Sequence, residues 1–357
     1  MSWTATGAAP KPATPAWMKT IRPQHVLVLL FLIAYPLVAS PFWTVQIGAQ
    51  SLFLGVIALS LMFLAGYGGM VSLSQMTVAG VAGYMVAVFG TNSTHPLFGW
   101  PLWAAVPIAI VIATAFATLI GIISVRTAGI YTIMITLAIG VAAFYFAQQN
   151  YEIFNGHSGF AGLPGPVGFG MDWRAPMPFY YMSLAVAALS YLAVVYLARS
   201  TFGLTLQAIR DNARRMNALG FNVNLHRVVA HAVAGLIAAI GGLLYVWMNG
   251  RVSPGTIDIG PVIDILVIAV IGGLRHPIGP FIGAVLFVLM KNFAIDLISP
   301  ERFNTLIGLI FLAIVLVSPD GLLGLWRLAS DRLKAAGLNG STGRQWGNNS
   351  WRNNNGK

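Results

Sequence analysis

The sequence predicts an all-α integral membrane protein: a polytopic helical bundle of about ten spans (eight to ten), with both termini in the cytoplasm. Three observations carry this. Hydrophobic residues make up 57% of the 357 and charged residues only 8%, where soluble domains carry about 25% charged. Mean hydropathy is +0.77, so the chain has too little polar surface for a globule of its size in water. Its apolar residues fall into ten stretches separated by polar or Pro/Gly-rich breaks, most of them near the roughly 20 residues that a helix needs to cross a bilayer.

In order, the stretches are 25–41, 49–67, 73–90, 101–124, 128–148, 179–198, 228–248, 261–274, 277–298 and 303–318. The first lacks a small-x-small cleavage site and reads as an uncleaved span rather than a signal peptide. Segment 73–90 opens on the polar run Ser72, Ser74, Gln75 and Thr77, and 261–274 and 303–318 are short. The 19 prolines and 39 glycines do not argue against helices, because both are more frequent in membrane spans than in soluble helices. Residues 1–24 and 329–357 have compositions that bury no core, Ala/Pro/Thr-rich at one end and basic and Asn/Gly/Ser-rich at the other, and are expected to be disordered. Between them, 25–328 forms one membrane domain.

Charge fixes the orientation. With the N-terminus inside and ten alternating spans, sixteen Lys and Arg fall on the cytoplasmic side and three outside, at Arg174, Arg251 and Arg302, while Lys291 lies within a span. This is the positive-inside pattern. It also accounts for the net charge of +11, since no basic, aromatic-interleaved module for nucleic acid is present. The absence of cysteine excludes disulfides, thiolate metal sites and a cysteine nucleophile. The chain holds no GxxxxGK[ST] phosphate loop, HExxH or GxSxG, and its six histidines show no ligand spacing, so neither an enzyme nor a metal protein is expected.

Four features are left to carry function. The cytoplasmic loop 199–227 contains a segment, 204–219, of loosely helical periodicity, ended by Gly220; it suits docking onto a soluble partner, or serves only as a basic loop that sets topology. Asp264, Asp296 and Lys291 are ionisable groups within spans, which are costly there and functional by default. Asp296 reads as interfacial, Lys291 can snorkel, and Asp264 is either interfacial or a pathway residue. Small residues cluster at 66–69, 80–83, 235–242 and 272–283, with Gly279 and Gly283 forming a GxxxG for close helix approach. The run GYGGMVSLSQ at 66–75 joins two spans through a glycine break followed by hydroxyls and an amide, the kind of backbone tolerated where it is buried or lines a cavity. Ser72, Ser74 and Gln75, with Thr132 and Thr136 of the fifth stretch and Asp264, are the candidate translocation path. The external loop 149–178, rich in Gly, Pro and aromatics, is either a cap facing a periplasmic partner or a connector.

Six stretches in one order resemble the permease subunits of branched-chain amino acid ABC importers, the LivM-type family. GYGGMVSLSQMTVAGVAGY at 66–84 is similar to that family's Gly-rich stretch, with Ser74 in place of a usual glycine. RTAGIYTIMITLA at 126–138 and NGHSGFAGLPG at 155–165 resemble two further segments. FGLTLQAIRDNARRMNALGFNV at 202–223 resembles its coupling loop, with Leu204 for a usual Arg. SPGTIDIGPVIDILVIAVIGGLRHPIGPFIGA at 253–284 and SPDGLLGL at 318–325 complete the set. Asp264 falls where the family usually has Glu, and Arg275 and His276 depart from its last Gly-rich turn.

The resemblance implies a multi-pass permease of the bacterial inner membrane. It implies that 204–220 is a cytoplasmic coupling segment for an ATPase, with Arg210, Asp211, Asn212, Ala218 and Gly220 on matching positions. It implies a second permease subunit in a heterodimer, two cytoplasmic ABC ATPases that hydrolyse ATP, and a periplasmic solute-binding protein, with no cofactor held by this chain. The solute implied is a branched-chain or related amino acid, moved by alternating access. The competing expectation is an ion-coupled secondary transporter, in which Asp264 and Lys291 are coupling residues.

Overall fold

A computed structural model describes residues 32–91, 98–127, 129–168 and 171–297, with isolated helical positions from 305 to 324. Among the described residues the chain is a helical bundle with two short two-stranded pairs. Six helices are long and apolar enough to cross a membrane, and two more are apolar but shorter. These eight answer the second to ninth apolar stretches of the sequence. The first stretch is described only from residue 32, and 303–318, both termini and the 318–325 motif fall almost wholly outside the described residues.

The centre is α1 (Trp43–Tyr67), with 83% of its apolar window buried. It has almost no apolar–polar asymmetry along its length: Phe53, Val56, Ile57, Ala58, Leu59, Met62 and Phe63 are all fully buried. A helix hydrophobic all round belongs inside a bundle. Its first and last turns widen to i→i+5 bonding, over Trp43–Ala49 and Phe63–Tyr67, a feature that often marks functional positions.

Around α1 pack α2 (Gln75–Phe89), α5 (Pro176–Arg199), α8 (Val223–Asn249), α9 (Ile259–Gly272) and α10 (Gly279–Leu297). Outside these lie α3 (Leu102–Ser124), against α2 and α8, and α4 (Ile130–Gln149), which is held only by its edges. Small residues set the closest approaches. Ala105, Ala109, Ala113 and Ala117 form a buried i, i+4 stripe on α3, and the Cα of Gly235 on α8 rests against Ala117. Gly242 of α8 faces the Ala79 backbone of α2. The Gly279/Gly283 motif performs the expected role: Gly283 rests on the Ile268 carbonyl and Gly272, so α9 and α10 pack backbone to backbone.

The loop ends of the helices differ. On one side β1 (Phe160–Ala161) pairs antiparallel with β4 (Arg251–Val252). Phe160 and Val252 are buried there against Tyr84 and Ala87 of α2, while β2 (Val167–Gly168) and β3 (Met171–Asp172) pair with each other. Loop 149–178 is therefore structured rather than a bare connector. On the other side, α5 turns directly into α6 (Thr201–Asp211) and α7 (Ala213–Ala218) before α8. The sequence periodicity predicts one helix over 204–219; the structure has two, broken at Asn212, whose extended φ of −156° ends α6 and whose side chain accepts from the Arg215 N–H to cap α7. Asn is a strong N-cap for that reason.

Candidate functional site

The path residues read from the sequence divide into three groups. Ser72, Ser74, Gln75 and Thr136 come together where the backbone leaves α1 and enters α2. All four are buried. The Ser72 and Ser74 hydroxyls are 2.9 Å apart. The Leu73 N–H donates to Thr136 Oγ1 (3.1 Å), and Ser60 of α1, which the sequence reading passed over, donates to Gln75 Oε1 (3.0 Å). Irregular backbone at 68–74 is thus supplied with side-chain partners instead of a following helical turn, as burial requires. Thr132 stands apart, one turn toward the start of α4, with its hydroxyl 3.3 Å from that of Thr127.

Asp264 belongs to neither set. It forms an ion pair with Lys291 across the α9–α10 hairpin at 3.6 Å, with side-chain exposures of 28% and 43%. Lys291 also lies 5.8 Å from the Phe287 ring centre. Each charge is balanced by the other, which is how ionisable groups persist in spans. The side chain of Asp296 falls outside the described residues.

Beside the polar cluster a small open cleft separates α4 from the start of α9, lined by Leu137, Gly140, Phe144 and Tyr145 on one wall and Asp258 and Val262 on the other. Gly140 connects cleft and cluster: a Cβ there would fall 2.9 Å from the Thr77 hydroxyl, which is buried and has no hydrogen-bond partner.

The loop segment lies under the same junction. Leu206 is fully buried among Phe63, Leu64 and Met70. Ile209, Met216 and Val223 form a small core that ties α6, α7 and the start of α8 together. Gln207 donates to the Ala198 carbonyl of α5 (2.9 Å). Arg210 and Asp211 pair with each other at 2.9 Å, and Arg210 also donates to the Gly66 carbonyl. Asn212 caps α7, Ala218 closes it, and Gly220 follows in a left-handed turn at φ +87° with no atom within 4 Å of a notional Cβ. The face turned away from the bundle carries Arg214, Arg215, Leu219 and Phe221, all exposed. Among the described residues there is no cluster of three or more metal-ligating side chains.

A helical bundle with a buried, glycine-broken central span and a compact loop element beneath the break is architecture that a match to known sequences can name. The model of the family described as "Branched-chain amino acid transport system / permease component" matches residues 44–315. The chain belongs to this permease family. Its similarity to individual members is distant. It is 24% identical over 336 residues to the high-affinity branched-chain amino acid transport system permease protein LivM of Escherichia coli, covering 86% of this chain and 76% of that one. It is 26% identical over 238 residues to the ribose import permease protein RbsC of Haemophilus influenzae, covering 64% and 71%. To the nucleoside ABC transporter permease protein NupC of Lactococcus lactis it is 23% identical over 241 residues, covering 64% and 74%. No solved structure gives a significant match. The permease is a multi-pass transport protein of the inner membrane, as its family and its apolar helices together require.

Proposed function

We propose that this permease carries a branched-chain or related amino acid from periplasm to cytoplasm by alternating access, driven by partner ATPases. The observation that carries the reading is the compact element α6–α7, seated on the glycine-broken end of the most buried helix, in a permease sequence without a phosphate loop. Energy then enters through partners: two cytoplasmic ABC ATPases, one of them docked on the 204–220 segment, with a second permease subunit and a periplasmic binding protein completing the assembly. Arg210, Asp211, Asn212, Ala218 and Gly220 build that segment, and the Ser72–Gln75 cluster with Thr132, Thr136 and the cleft at Gly140 forms the path. The bundle has about ten spans with both termini inside. The amino-acid assignment rests on the family description and on the breadth of the LivM alignment; ribose and nucleosides, named for other relatives, are the competing solutes. The Asp264–Lys291 pair, charge-balanced within the hairpin, favours a structural role over ion coupling.

The test is uptake by the reconstituted assembly. Labelled leucine should accumulate only with ATP and both ATPases, and a protonophore should have no effect. Uptake that persists without the ATPases and collapses with the protonophore would replace the importer by the secondary transporter. Ribose or nucleoside uptake in place of leucine would change the solute alone.

A further inference from the structure

Arg210, although 39% exposed, reaches back onto the end of α1. Its Nε and one terminal nitrogen bind Asp211 Oδ1 (both 2.9 Å), and its other terminal nitrogen donates to the Gly66 carbonyl. Gly66 lies in the last, widened turn of α1. Carbonyls at a helix C-terminus lack a following turn to pair with and carry partial negative charge, so a guanidinium is a suitable partner. The next residues are shaped to receive it. Gly69 is left-handed at φ +66°, and a Cβ there would fall 2.6 Å from Arg210 Cγ, so the aliphatic stem of Arg210 lies on bare backbone. The Met70 N–H reaches back to the Leu64 carbonyl (3.0 Å) across that turn. Leu206, one helical turn before Arg210, packs beside Gly68 and Met70. Gly66 also rests on the Leu274 carbonyl, which brings the α9–α10 turn to the same point. Two residues beyond Met70 the polar cluster begins at Ser72.

We infer that Arg210 is a positioning residue that locks α6 to the C-terminal end of α1, so that α6 and the 66–70 break move as one body and displace the Ser72–Gln75 cluster. The inference rests on the proposed coupling role of 204–220 and reassigns one residue within it. Docking falls to the exposed Arg214, Arg215, Leu219 and Phe221, and Arg210 transmits. Three of the five guanidinium N–H groups are committed within the chain, on a side chain that is 39% exposed, and a lysine cannot reproduce a fork that spans Asp211 and Gly66.

The whole reconstituted assembly tests this. In Arg210→Gln and Arg210→Lys the ATPases should still co-purify, and basal ATP hydrolysis should persist. Stimulation of that hydrolysis by loaded binding protein should be lost, and uptake should fall about tenfold or more, the scale of a typical coupling energy. Loss of the ATPases from either variant would make Arg210 a docking contact, and normal uptake would make the link idle; each overturns the inference. A second arm does not depend on how well these variants fold. The chain has no cysteine, so Gly68→Cys with Leu206→Cys places the only two thiols across the contact. Oxidative locking should leave uptake near its reduced level if the two elements move together. Uptake abolished by locking and restored by reductant would show that they must part. Uptake by the unmodified assembly without ATP would sink the importer reading and this inference with it. ATP-dependent uptake with a harmless Arg210→Gln sinks the link alone.

Discussion

Thr136 shows how much one hydroxyl can matter in a buried bundle. It accepts the Leu73 N–H and donates to its own Ile133 carbonyl at 3.0 Å, so one side chain of α4 holds the irregular backbone between α1 and α2. In Thr136→Val the shape is kept and the acceptor is lost, stranding a buried N–H at a cost of about 1–3 kcal/mol. Folded yield in detergent, followed by size-exclusion profile and thermal inactivation, should drop for Thr136→Val and hold for Thr136→Ser. Ser72 and Ser74 share one polar run, but residue type did not separate Thr136 from Thr132, which stands apart; that Thr136 meets Leu73, 63 positions away, was not legible, because no local pattern encodes such a pairing. The Arg210–Gly66 bond, across 144 positions, escaped for the same reason, and the sequence reading gave that arginine to a partner. Asp264 was legible as a costly charge, but its Lys291 counter-ion becomes evident only once α9 and α10 are folded against each other as a hairpin.

At the scale of elements, spacing is set by glycine. A Cβ on Gly242 would run into the Ala79 backbone, whereas one on Gly260 would meet nothing within 4 Å. Backbone cannot yield as a flexible side chain can, so Gly242→Val should cost at least the 1–3 kcal/mol or so typical of overpacking. Gly260→Ala should be tolerated. Quantitative comparison of membrane-inserted, detergent-stable protein separates the two. Most helices were readable because a run of about 20 apolar residues has few other fates. Boundaries failed where polar residues sit inside a span. The stretch read as beginning at 261 extends back through a 3₁₀ turn at Pro254–Thr256, where Ser253, Pro254 and Asp258 resemble a loop. The reading of 204–219 as one helix missed Asn212, whose capping chemistry was the available signal.

For the whole molecule, the described helices place 66–75, 124–130, 199–223 and 273–279 at one end of the bundle and 150–175 and 250–258 at the other. Arginines crowd the first end, and the positive-inside pattern predicts that this end faces the cytoplasm. Single cysteines introduced at His157 or Asp172 should react with a membrane-impermeant maleimide in intact spheroplasts, and cysteines at Arg214 or Asn217 only after lysis. The reverse pattern would invert the orientation. Among the described residues only 22% of the most apolar stretch of α4 and of α5 is buried, and an apolar surrounding such as lipid is what such faces need.

The β1–β4 pair carries a consequence for biosynthesis. Phe160 and Ala161 leave the ribosome well before Val252 and Arg251, their strand partners. At about 5–20 residues per second, the first strand waits several seconds for the second. During that interval Phe160 has no Val252 beside it and its backbone has no ladder. The β1–β4 pair therefore closes only after α8 has been made. A nascent chain arrested before Arg251 should expose the 155–165 loop to protease, and release past Val252 should protect it.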